Sequence, residues 1–202
     1  MIASLRLLSA LCLAALLAAC ASSPSSSLGE LPQTPDASIE QLLEKAAHSK
    51  SPEDAALLRL SAADLAYRQG NAGQSAQILQ QVPTEQLKPG PQIFANTLAA
   101  ELAMTRNQPK AALAALSHPS LQYLSELPDE QQVRTGTVHA RALEADGQTL
   151  AAARQRIFIA PMLKGEAASK NHEAIWTLIA SLPTDQLQPN TCLLYTSDAA
   201  DE

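Results

Sequence analysis

The chain has 202 residues, 46% hydrophobic but only 3% aromatic, with few glycines. Much of that apolar content is Ala and Leu, strong helix formers, while strand formers are scarce, so an all-α protein is expected. A formal net charge of −6 and a pI near 5.2 leave no basic footprint able to neutralise phosphates, which argues against nucleic acid as a partner.

The N-terminus, "MIASLRLLSALCLAALLAAC", carries one positive residue, Arg6, and then an apolar run from Leu7 to Ala18. That run falls short of the roughly 20 apolar residues of a membrane span and suits the hydrophobic region of a secretory signal. It closes in Leu17-Ala18-Ala19-Cys20. This resembles a bacterial lipobox, in which small residues precede a Cys that is lipidated on its thiol and becomes the new N-terminus. The resemblance implies a signal peptide over 1–19 and lipidation at Cys20. Each buried acyl methylene contributes roughly 0.8 kcal/mol, so a multiply acylated Cys20 would anchor the chain stably. In lipoproteins of this kind an Asp after the Cys favours inner-membrane retention; Ala21 stands there instead, which makes the periplasmic face of the outer membrane the expected address.

Cys12 leaves with the signal and Cys20 carries lipid, so only Cys192 remains and no disulfide framework is expected. Residues 20–37, including "ASSPSSSLGELPQTPD", are rich in Ser and Pro and poor in apolar groups. Such a segment buries too little surface to offset its ordering entropy and reads as a flexible tether.

A helical domain is expected over 38–191. Ile39, Leu42, Leu43 and Ala46 recur at helical spacing on one face. Ser51-Pro52-Glu53-Asp54 has the form of a helix start, with a hydroxyl cap, Pro at the first position and acids at the positive end of the dipole. Leu57, Leu58, Leu60, Ala62, Leu65 and Ala66 carry this second helix to a stop at Gly70-Asn71. The sequence then repeats itself: "DLAYRQGNAGQSAQIL" from Asp64 aligns with "ELAMTRNQPKAALAAL" from Glu101, a shift of 37 residues. A weaker third copy, "RALEADGQTLAAARQR" from Arg141, sets Gly147 where Gly70 and Asn107 stand. The units resemble tetratricopeptide (TPR) helix-turn-helix pairs, with Ala63, Ala66 and Ala76 where helices must approach closely. Their period is longer and the aromatic positions are mostly absent, so the expected architecture is a TPR-like superhelical array. Pro83, Pro89, Pro91, Pro119 and Pro128 fall between the pairs. A second echo joins Val82-Pro83-Thr84-Glu85-Gln86-Leu87 to Leu182-Pro183-Thr184-Asp185-Gln186-Leu187.

Nothing in the sequence points to catalysis, to a metal or to a cofactor. His48, His118, His139 and His172 lie far apart, and His172-Glu173 lacks the second His of a zinc-binding helix. Seven glycines form no phosphate loop, Ser61 and Ser75 sit in no nucleophile elbow, and Glu101, Glu126 and Glu144 are expected on solvated helix faces. Phe158 and Trp176 are expected to pack between paired helices, the alternative being exposed anchors for a partner.

The lipobox at Cys20, the Ser/Pro tether and the repeats of "AADLAYRQGNAGQSAQILQQVPTEQLKPGPQIFANTLAAELAMTRNQPKAALAAL" together resemble the N-terminal domain of the LpoA family, activators of penicillin-binding proteins. "IWTLIASLPTDQLQPN" (175–190) resembles the family's segment near the end of that domain. The resemblance implies an outer-membrane lipoprotein, not an enzyme. Such a protein activates a class A penicillin-binding protein, and so peptidoglycan synthesis, mainly through a second, C-terminal domain of α/β fold. Peptidoglycan itself is a further candidate partner. The alternative is a TPR-like lipoprotein adaptor in outer-membrane assembly or pilus biogenesis. The tail 192–202, "CLLYTSDAADE", resembles a translated adapter used to make sequencing libraries, which implies that natural sequence ends at Thr191.

Overall fold

The structure, a computed structural model, describes residues 27–33 and 36–183. Cys20, the signal peptide, the second Pro-Thr-acid-Gln-Leu segment from Thr184 onward and the tail lie outside the described residues. Eight α-helices and three 3-10 turns are present among those described, without a strand. The helices are α1 (Ile39–His48), α2 (Pro52–Arg68), α3 (Ala72–Leu79), α4 (Pro89–Thr105), α5 (Pro109–Ala115), α6 (Asp129–Ala145), α7 (Thr149–Ile159) and α8 (Gly165–Ala180). The turns are Thr84–Gln86, Pro119–Glu126 and Ala160–Met162. The all-α, TPR-like class expected from the sequence is observed.

Local chemistry fixes the boundaries. Ser38 and Gln41 form a reciprocal capping box at α1, each side chain bonding the other's backbone N–H. Ser51 accepts the Asp54 N–H at 3.2 Å, with Pro52 opening α2. Pro89 and Pro109 likewise open α4 and α5, where a missing N–H costs no helical hydrogen bond. The linker prolines therefore start helices as well as separate them. The three expected stops share one backbone geometry: Gly70, Asn107 and Gly147 have φ of 83°, 55° and 79°, the left-handed region that Gly and Asn tolerate.

Pairs pack through small residues at matching repeat positions. Ala63, Ala100 and Ala140 are each 0% exposed, and so are Ser75, Ala112 and Ala152. The core is a series of neighbour contacts rather than one centre. Ile39 and Leu42 of α1 meet Ala62, Ala63 and Ala66 of α2, Ile78 of α3 and Leu98 and Leu102 of α4. A second cluster carries the packing on, from Ala100 and Ala103 of α4 through Ala112 of α5 to Val138 and Ala142 of α6. This is how a repeat array is stabilised. Between pairs, the first Pro-Thr-acid-Gln-Leu segment serves as a plug: Val82 and Leu87 are buried against Ala56, Leu60 and Ala95.

One departure concerns the tether. Residues 27–33 pack on the array instead of hanging free, because Leu28 fills an apolar recess beside Ile93 and Leu127. A single buried Leu contributes about 1.5–3 kcal/mol, which offsets the ordering of only one or two residues at about 1–2 kcal/mol each, so the Leu28 carbonyl's hydrogen bond and the partly buried Leu31 add to it.

Candidate partner-binding surface

Three features distinguish the surface of the array. The first is an ion cluster crossing three repeats. Arg134 of α6 bonds Glu101 of α4 through both Nε and Nη2, at 3.0 and 2.6 Å, and its Nη2 also reaches Asp64 of α2 at 2.6 Å. Asp64 turns its other oxygen to Arg68 at 2.8 Å. The guanidinium also lies over the Phe94 ring, 4.9 Å from its centroid, a favourable cation–π contact. Burial disfavours the charged guanidinium, but the hydrogen bonds and charges of Glu101 and Asp64 outweigh it and hold the Arg134 pKa above its ordinary value. Tyr67, beside the cluster, is raised by its own burial and then by Glu101. Glu101 is thus no solvated side chain, being only 13% exposed and ion-paired; Glu126 does face solvent, and Glu144 holds Arg156 at 2.6 Å. Asp64 and Glu101 stand in equivalent repeat positions, which was the one signal the sequence held for this cluster.

The second feature is an open groove of about 440 Å³ between α3, α4 and α5. Alanines, among them Ala76, Ala99, Ala103 and Ala111, line it, and Gln80, Asn96, Arg106 and Gln108 provide polar groups. The third is aromatic. Phe158 and Trp176 are 47% and 53% exposed, so the expected burial of both between helices is corrected. In α7 it is Ile159 that turns inward, and in α8 Ile179. The Trp176 indole N–H donates to His172 Nε2 at 2.7 Å, with the two rings edge to face. This contact holds the tryptophan against the His172 ring.

The remaining histidines are scattered as expected. His48 lies against the Glu44 carbonyl, His118 accepts the Ser120 N–H, and His139 is half-buried in α6. Among the described residues no three His, Cys, Asp or Glu side chains converge on a point that could hold a metal ion. No helix among them is long and apolar enough to cross a membrane. The arrangement offers a scaffold of paired helices, a shallow groove and two exposed aromatics, which is chemistry suited to binding.

Residues 32–194 match the family described as "LppC putative lipoprotein", and the chain belongs to that family. Its fold is similar to the amino-terminal domain of Escherichia coli LpoA, at a TM-score of 0.58 and 20% identity, covering 83% of this chain and 72% of that one. The LpoA N-terminal domain of Haemophilus influenzae is similar at a TM-score of 0.52 and 21% identity, over 78% and 71% of the two chains. Against full-length LpoA of the same organism the TM-score is 0.52 at 21% identity, and the match spans 78% of this chain but only 28% of that one. Comparison with curated proteins returns no match.

Proposed function

We propose that this chain is the membrane-anchored arm of a regulator on the periplasmic face of the outer membrane, which activates a class A penicillin-binding protein and so stimulates peptidoglycan synthesis. Membership of the LppC lipoprotein family carries the proposal. The lipobox ending at Cys20 and a fold similar to LpoA N-terminal domains support it. Activation then needs no catalytic group. An activator that binds the more active state of the synthase better shifts its population, about tenfold for each ~1.4 kcal/mol of preference. Phe158 and Trp176 are the candidate anchors on the array, being large, exposed and, for Trp176, pre-positioned by His172. The full-length relatives are more than three times the matched length, and in this proposal a domain beyond the array makes the main contact with the synthase.

Two experiments test it. Metabolic labelling with palmitate is expected to mark the wild-type protein and to miss Cys20→Ala; equal labelling would refute the anchor. Crosslinking in intact cells, from a photoreactive residue at position 176 of the full-length protein, is expected to capture a class A penicillin-binding protein. Capture of outer-membrane assembly or pilus components instead would move the chain to the adaptor class.

A further inference from the structure

Segment 27–33 is built into the array with more care than a tether needs. Leu28 is 7% exposed, next to Ile93 and Leu127 and walled by Leu121, Tyr123 and Leu124. Its carbonyl accepts the Gly90 N–H at 2.7 Å, which satisfies one of the free donors in the first turn of α4. Two glycines make this crossing possible. Gly29 has φ +85°, and a Cβ there would lie 2.8 Å from the Lys88 Cβ. A Cβ on Gly90 would lie 2.8 Å from the Leu28 carbonyl oxygen. The close approach of the two backbones thus depends on glycine on both sides.

We infer that Leu28–Leu31 is a clip that fixes the lipidated N-terminal segment to the array at residue 28, so that the flank formed by the start of α4 and the Pro119–Glu126 turn is held toward the membrane. The inference rests on lipidation of Cys20. With the clip closed, only residues 21–27 separate the anchor from the array, and at full extension they span about 25 Å. Released as far as the Ser38 cap, residues 21–37 would span about 60 Å and leave the orientation of the array unconstrained. The clip therefore selects which surfaces of the array a periplasmic partner can reach, with α8 and Trp176 in the repeat pair farthest along the chain from it.

The test uses the lipidated full chain and two variants, Leu28→Asp, which removes the buried side chain, and Gly29→Val, which keeps it but blocks the crossing. Helical circular dichroism is expected to stay unchanged in both. The first readout needs no membrane. Hydrogen exchange at the Gly90 amide is expected to quicken about tenfold or more, the effect of losing one buried leucine. Unchanged exchange in both variants would overturn the clip. The second readout places a fluorophore on Glu85→Cys in a Cys192→Ser background, Glu85 being an exposed residue just before α4. Vesicles of phosphatidylethanolamine and phosphatidylglycerol carry a headgroup quencher. The variants are expected to lose about half of the wild-type quenching, in line with the doubled reach. Equal quenching alongside faster exchange would overturn the orientation. Failure of the wild type to bind vesicles would overturn the anchor at Cys20 and with it the orientation, while exchange at Gly90 still tests the clip separately.

Discussion

Asp64 and Arg134 stand 70 positions apart and meet at 2.6 Å, with Glu101 closing the cluster from the helix between them. Three repeats are thereby joined by one guanidinium whose side chain is 17% exposed. In addition to neighbour packing, this cluster ties the first repeat to the third.

Removing the cation should therefore cost more than an exposed ion pair would. Arg134→Met leaves Glu101 without its cation and Asp64 with Arg68 alone. Breaking a buried pair costs about 3–5 kcal/mol, and partial exposure reduces the expectation here to about 2–4 kcal/mol. Urea denaturation measures it. A loss below about 0.5 kcal/mol would mark the cluster as a surface pair of little consequence.

Ser75 should behave in the opposite way. Its hydroxyl is fully buried without a hydrogen-bond partner among the described residues, while the same repeat position holds Ala112 and Ala152. An unsatisfied buried hydroxyl costs about 1–3 kcal/mol, so Ser75→Ala is expected to raise the denaturation midpoint. A lowered midpoint would show that the hydroxyl has a partner in solution.

Gly136 tests the closeness of α6 and α7. Replacing a mid-helix Gly by Ala ordinarily stabilises by about 1 kcal/mol. Here the new Cβ would lie 2.3 Å from Ile159 Cγ2, so Gly136→Ala is expected to destabilise by about 1–3 kcal/mol through overpacking. Combining it with Ile159→Ala should cost less than the sum of the two single changes, as measured in a double-mutant cycle.

His139 should give the fold a mild acid sensitivity. Burial pushes its imidazole below the ordinary 6.5, because the charged form loses solvation. As the pH falls, the unfolded chain takes up this proton first. Its contribution to stability is complete above about pH 6.5 and is lost as the pH falls through the folded-state value, with a slope no steeper than ~1.4 kcal/mol per pH unit. Urea melts of the wild type and His139→Gln at about pH 7.5 and about pH 5 should show a smaller acid loss in the variant.

What the sequence revealed was mostly local or repeated. Caps such as Ser51 and stops such as Gly70, Asn107 and Gly147 act within one turn of chain, and the small residues Ala63, Ala100 and Ala140 recur in register. The Leu28 clip escaped because two leucines in a Ser/Pro tract, Leu28 and Leu31, set no sustained periodicity, and the recess is assembled from α4, the Pro119–Glu126 turn and Leu127, all remote in sequence. The Arg134 cluster escaped for a similar reason, since it exists only once three helices are placed. Phe158 and Trp176 were legible as apolar helix residues, but spacing does not say what covers a face, and Ile159 and Ile179 take the inward positions instead.

The proposed regulation of a cell-wall synthase is tested most sharply by the rate at which a purified class A penicillin-binding protein polymerises glycan strands from lipid-linked precursor in vesicles. Adding the lipidated full-length protein is predicted to raise that rate severalfold, with Trp176→Ala blunting the rise. A rate unchanged by saturating protein would refute the regulatory role.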